Sequence, residues 1–273
     1  MRIFLLLAFV LTLAACGTSS KKQEDAALTA DRPVEQIYNE AADAMDANSY
    51  RKAAKLFAEV ERQHPYSQWA TQADLMRAFA LYKDAQYDEA AVTLDDFIRL
   101  HPGYKDIDYA YYLRGLCDYD QITDVKRDQE TTAQALQSFD TLLRLFPESK
   151  YARDAKLKRD LTLDHLAGKE MDIGRYYLTR GYYTAAVKRF MVVVHDYQTT
   201  THVPEALHRL VEAYLHMGLV DEATRVAAVL GYNYPGSKWY ADSYRILNPQ
   251  QREKLMDDRS FKDRTIDALF KPE

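Results

Sequence analysis

The sequence predicts an all-α chain, a tandem array of helix pairs, and three observations carry that reading. Gly and Pro together number only 17 of 273 residues. Apolar residues recur at helical rather than alternating spacing. From Pro33 onward the chain repeats itself around prolines set at similar intervals.

The repeats align on the proline that ends each second helix. Tyr50-Arg-Lys-Ala53-Ala-Lys-Leu-Phe57-Ala-Glu-Val60 leads to Pro65, and Tyr87-Asp-Glu-Ala90-Ala-Val-Thr-Leu94-Asp-Asp-Phe97 leads to Pro102. Ala135, Phe139 and Leu142 lead to Pro147, and Val220, Ala223, Ala227 and Leu230 lead to Pro235. The fourth unit runs Tyr183, Ala186, Phe190, Val193 and has Gln198 where the proline would stand. Small residues let antiparallel helices approach closely, and the larger residue four positions on fills the adjoining hole. Proline ends each second helix because it lacks an N–H and clashes with the preceding turn. In the first helices Ala41, Ala78, Gly115 and Gly174 hold one equivalent small position. The text after three prolines also recurs, with Ser67, Ser149 and Ser237 placed to cap the next helix.

Two intervals stretch. Pro102 to Pro147 is 45 residues against 37 for Pro65 to Pro102, with the excess in a charged stretch around Asp118 to Thr132. Pro147 to Gln198 is 51, which predicts a long or doubled first helix between Lys150 and Thr179. Ser237 to Leu247 reads as a terminal capping helix. This pattern resembles the tetratricopeptide repeat, whose period is near 34. The resemblance implies a right-handed α-solenoid of five helix pairs with a C-terminal cap, each pair touching only its neighbours.

Ahead of the repeats the chain reads as a lipoprotein signal. Arg2 is a positive start, Ile3 to Leu13 an apolar run too short to span a bilayer, and Leu13-Ala14-Ala15-Cys16 a small-residue cleavage site before cysteine. Cys16 would become the lipidated first residue, carrying N-acyl and S-diacylglycerol groups, and that covalent lipid is the only cofactor expected. Gly17 follows it rather than an aspartate, which by resemblance to bacterial lipoproteins points to the outer membrane. Gly17 to Arg32 is polar and reads as a tether of at most about 55 Å, with a coil average of about 20–25 Å. The expected organisation is residues 1–15 signal, 16–32 lipidated start and tether, 33–147 repeats one to three, 148–247 repeats four and five with the cap, and 248–273 a charged tail.

Composition narrows the function. Without residues 1–15, which lose only Arg2, the balance is 35 Lys+Arg against 41 Asp+Glu, or −6. That argues against a nucleic-acid partner, which needs clustered positive charge. Cys117 is the one other cysteine and reads as a small core residue. His202, His208 and His216 share a repeat without metal-ligand spacing. No Gly-rich phosphate loop or nucleophile elbow occurs, and Glu59/Glu61, Asp95/Asp96 and Asp257/Asp258 read as solvated faces, so no catalytic set is expected. What remains is surface. Tyr38, Phe79, Tyr82, Tyr109, Tyr112, Leu116 and Tyr119 fall on the unpacked turns of the first helices, interspersed with Arg77, Lys83 and Asp120. Such a row suits an extended peptide with large apolar side chains, although about half of these rings could instead pack between repeats. Lys188 and Arg189 lie one turn from the Ala186 and Phe190 stripe and are expected to face solvent.

Phe97-Ile-Arg-Leu-His-Pro102, then Ile107-Asp108-Tyr109-Ala-Tyr-Tyr-Leu-Arg114-Gly115-Leu116, resembles the BamD lipoproteins of the bacterial β-barrel assembly machinery. Tyr176-Tyr177-x-x-Arg180-Gly181 and the helix with Lys188-Arg189 resemble them too, and the likeness covers about residues 16–247. Gln198 and the tail after Leu247 depart from it. The resemblance implies a non-enzymatic protein on the periplasmic face of the outer membrane. Its N-terminal repeats would receive the C-terminal strand of unfolded outer-membrane proteins. Its C-terminal repeats, with Lys188 and Arg189, would dock on the periplasmic domains of the central barrel protein, beside accessory lipoproteins of the complex. The alternative is another tetratricopeptide lipoprotein that scaffolds cell-wall or pilus assembly.

Overall fold

The computed structural model describes residues 32–125, 127 and 129–250; the signal, Cys16, the tether to Asp31 and the tail from residue 251 lie outside these. Eleven helices and no strand occur among the described residues. They are α1 Val34–Asp46, α2 Tyr50–Gln63, α3 Ala70–Lys83, α4 Tyr87–Leu100, α5 Ile107–Tyr119, α6 Glu130–Leu145, α7 Ala152–Thr179, α8 Tyr183–Asp196, α9 Val203–His216, α10 Val220–Asn233 and α11 Lys238–Ile246. The chain divides into two compact units at Cys117/Asp118, inside α5.

The repeat register is the packing register. Ala53, Ala90, Ala135, Ala186 and Ala223 are completely buried, as are Phe57, Leu94, Phe139, Phe190 and Ala227 four residues later. Ala41 and Ala78 are also completely buried, and at Gly174 a Cβ would overlap the Phe190 ring. Only hydrogen at that position admits the ring, so the small residue and its large partner are one feature. Cys117 is completely buried, as expected of a small core residue. The long first helix is a single 28-residue element, α7. The second unit's core gathers Met171, Phe190, Val193, Leu207, Leu210 and Leu230, and Leu247 closes it behind the capping helix.

Each second helix stops two residues before its proline. His64, His101, Phe146 and Tyr234 donate their N–H to the carbonyl four back, then turn out at φ between −126° and −134°. Proline imposes this by disfavouring helical backbone in the residue before it. Tyr197 makes the same exit at φ −124° ahead of Gln198, so packing of the next helix suffices where the proline is missing.

Within pairs the turns also repeat. Asn48, Ala85, Gly181 and Gly218 hold φ of 55°, 58°, 77° and 76°. The residue after each donates to a carbonyl five back: Ser49 to Ala44, Gln86 to Leu81, Tyr182 to Tyr177 and Leu219 to Tyr214. This is the left-handed closure that usually takes glycine. The first unit makes it with Asn and Ala.

The serine caps hold only in part. Ser237 Oγ accepts from the Tyr240 N–H at 3.2 Å and caps α11. Ser149 Oγ accepts from Tyr151 N–H at 3.1 Å, one turn ahead of α7, and Ser67 Oγ is buried without a partner among the described residues. In those two turns the serine's own carbonyl is used instead, by Ala152 and Ala70. No helix among the described residues is long and apolar enough to cross a membrane.

Candidate functional site

In the first unit the aromatic candidates are all half-buried. Tyr38, in the second turn of α1, stands edge-on to Phe57 at 5.5 Å and lies 4.8 Å from Trp69, the residue ahead of α3. Burial, and then the neighbouring Tyr104, pushes its hydroxyl above the ordinary tyrosine range, so it stays a neutral donor. Phe79 of α3 faces Tyr109 of α5 at 6.4 Å, which carries the row from one repeat to the next. Tyr82 instead turns to Tyr87 across the α3–α4 turn, at 5.6 Å. Tyr109, Tyr112 and Leu116 follow at i, i+3 and i+7 along α5, one face of that helix.

Tyr119 lies beyond the division and belongs to the second unit. It packs edge-on to Phe139 at 5.9 Å with the Lys158 ammonium 5.5 Å from its ring. The interspersed charges are engaged too. Arg77 reaches Glu61 at 3.7 Å and Lys83 lies 5.7 Å from the Tyr50 ring. A cleft of about 300 Å³ opens between α2, α3 and the start of α4, lined by Arg51, Lys55, Arg77, Leu81 and Glu89. Arg51 is bonded to Asp84, and Lys55 and Glu89 contribute one charge of each sign, so the cleft carries no strong field.

Two acidic residues of this unit are buried, and one of them, Glu59, is expected from the sequence on a solvated face. Glu59 is buried, not on a solvated face, and its carboxylate is bonded by Arg62 and Gln63, which hold its pKa below the usual range. Asp74 is buried on α3, and desolvation, reinforced by Glu61 and Asp96 and opposed by Arg77, raises its pKa to about 6. Nothing in helical periodicity distinguishes it from a surface aspartate. Asp95 and Asp96 are exposed as expected, paired with Arg114 and Arg99.

In the second unit Lys188 is exposed, but Arg189 is not free in solvent. Its Nη1 lies 3.0 and 3.3 Å from the two oxygens of Glu170 on α7, and the glutamate is largely covered. Three residues along a helix bring a side chain back to within about 60° of the starting direction. Arg189 therefore lies beside Ala186, near enough to the packed stripe to reach α7. The histidines are dispersed. His208, buried on α9, meets Ser243 Oγ of the cap at 2.8 Å and Glu212 at 3.5 Å. His202 faces Asp164 at 3.5 Å, and His216 stacks on Tyr183 at 4.8 Å. Burial works against charge on Glu212, yet hydrogen bonds from His208 and Arg209 outweigh it and hold its carboxyl at about 2. Among the described residues no three His, Cys, Asp or Glu side chains gather as a metal site.

These surfaces offer shape and aromatic contact, and comparison with known proteins gives them a family. A family model described as YfiO, outer membrane lipoprotein, matches residues 30–230. The chain is 47% identical over 241 residues to the outer membrane protein assembly factor BamD of Caulobacter vibrioides, covering 88% of this chain and 79% of that protein. It is 47% identical over 242 residues to BamD of Rickettsia prowazekii, covering 89% and 95%. With BamD of Neisseria meningitidis serogroup A the identity is 36% over 254 residues, covering 89% and 95%. Among solved structures it is similar to a thermophilic TPR protein of Thermus thermophilus, at 19% identity and TM-score 0.38, covering 78% of this chain and all of that one. The chain belongs to the YfiO/BamD family of outer membrane protein assembly factors.

Proposed function

We propose that this assembly factor is a non-enzymatic lipoprotein, held by acylated Cys16 on the periplasmic face of the outer membrane, that presents unfolded β-barrel proteins to the central barrel component. The observation that carries the client role is the contact from Phe79 to Tyr109, continued by Tyr112 and Leu116. It is a half-covered apolar strip crossing two repeats, with rings that an extended peptide can meet at alternate positions. Tyr38 and Tyr82 serve as its packed flanks. Tyr119, in the second unit, is left out of this strip.

Docking falls to the second unit, with Lys188 as the exposed contact. Arg189 is held by Glu170 and would engage a partner only as that pair. No cofactor is proposed beyond the lipid, and accessory lipoproteins of the complex are further partners. The test is fluorescence anisotropy of a labelled C-terminal strand peptide against the full mature chain bearing Cys16→Ser. Aromatic contacts contribute about 0.5–1.5 kcal/mol each beyond burial. Several together suit a micromolar complex, about −8 kcal/mol, weak enough to hand a client onward. Binding should weaken when the terminal aromatic becomes alanine and in Phe79→Ala with Tyr109→Ala. Binding indifferent to both changes would remove the client role.

A further inference from the structure

Where the tether enters the fold, it is fastened. The Arg32 backbone N–H donates to Gln63 Oε1 at 3.0 Å, and its carbonyl lies 2.7 Å from His64 Nε2. Its largely buried side chain is bonded to Glu40 at 2.8 Å. Arg32 is therefore tied both to α1 and to the C-terminal end of α2. Consecutive helices of the first unit run antiparallel through turns of three and six residues. The start of α1, the ends of α2 and α4 and the start of α3 thus share one edge, and the contact of Tyr38 with Trp69 lies along it.

That edge carries an unusual residue. Tyr66, two positions beyond His64, is fully exposed. The residue after the corresponding prolines is Gly103, Glu148 and Gly236, so only the turn beside the tether root has an aromatic there. Leu100, at the end of α4, is more than half exposed, and Lys105, in the next turn, is exposed with its ammonium 3.9 Å from Asp106. Tyrosine, leucine and lysine together suit a lipid–water boundary, where the ring sits at headgroup level and the ammonium stays wet. Cys16 is sixteen residue steps from Arg32, at most about 55 Å whatever path the chain takes.

We propose that this edge of the first unit, with Tyr66 at its tip, rests on the phospholipid surface to which Cys16 is attached. The inference rests on the lipid-anchor reading above. A tether fastened at its root draws this edge, and not the opposite one with the Ala47-Asn48-Ser49 turn, toward the bilayer. The strip from Phe79 along α5 is then held at a fixed orientation to the membrane.

The experiment uses the lipidated full chain in vesicles of phosphatidylethanolamine with a minor share of phosphatidylglycerol, doped with headgroup-nitroxide lipid. A bimane label is placed on Tyr66→Cys or, on the opposite edge, on Ser49→Cys; Cys117 is fully buried and stays unlabelled. Quenching at position 66 should exceed that at 49 about threefold or more, as an interfacial residue requires. Arg32→Ala combined with Gln63→Ala and His64→Ala removes all three fastenings and should bring the ratio toward one while flotation with vesicles is kept. Equal quenching at the two positions in floating vesicles overturns the inference and leaves the anchor reading intact. A ratio unchanged in that triple variant overturns the role of the fastened root. Flotation no better than that of Cys16→Ser overturns the anchor reading itself, and this proposal with it. A melting curve of each variant separates lost orientation from lost fold.

Discussion

Asp74 shows how a single carboxyl can act against the fold that holds it. Its pKa is raised to about 6 from 3.8, chiefly by burial, so the folded state prefers it protonated. A carboxyl whose folded pKa is raised destabilises the fold above that value, and the penalty fades as pH falls from about 6 toward 4. Two pKa units correspond to about 2–3 kcal/mol. Asp74→Asn should therefore raise the melting temperature at pH 7.5 and change it little at pH 4. An equal change at both values would mean the charge is not the cause. Arg189 is the opposite case, a charge satisfied by its fold. Arg189→Glu would set two carboxylates together at Glu170, and losing such a part-buried pair should cost about 1–3 kcal/mol. Its melting loss must be subtracted before any docking loss is read. The sequence shows the residue type at both positions but not its neighbours. Glu59, Asp74 and Arg189 are indistinguishable by periodicity from surface charges, because what decides their state is the residue on another turn or another helix.

At the scale of the element, the sequence is far more legible. Ala53 with Phe57, Ala90 with Leu94 and Ala186 with Phe190 each mark a buried contact in text alone, because a close helix crossing admits few residue types. Ala90→Trp should lower stability by about 1–3 kcal/mol, the usual cost of overpacking. An unchanged melting temperature would contradict the register. The within-pair turns were not visible in this way, because only two of the four use glycine. Ala85 carries φ of 58° with a Cβ that resists it. Ala85→Gly should then gain roughly 0.5–1 kcal/mol, whereas Gly181→Ala should lose a similar amount. Chemical denaturation of the two variants checks the sign of each. The cap offers a further test. His208→Ala leaves Ser243 buried without its partner, which should cost about 1–3 kcal/mol and raise hydrogen exchange first in α11.

At the scale of the whole molecule, five pairs in one register, four of them ending at a proline, and a cap identify the architecture, and the family follows from it and from the Phe97 to Leu116 run. The division at Cys117/Asp118 was not legible, since it falls inside α5, a helix whose sequence pattern is continuous across it. For the same reason the aromatic row ends one residue short: Tyr119 has the spacing of Tyr112 but packs with Phe139. The central claim is that this chain is a scaffold in outer-membrane protein assembly and not in wall or pilus assembly. Affinity isolation of the tagged, lipidated full chain from detergent-solubilised outer membrane tests it most directly. Recovery of a large β-barrel protein with periplasmic domains, reduced in a Lys188→Glu variant of unchanged melting temperature, is the expected result. Recovery of cell-wall synthases or a pilus secretin without that barrel protein would contradict it.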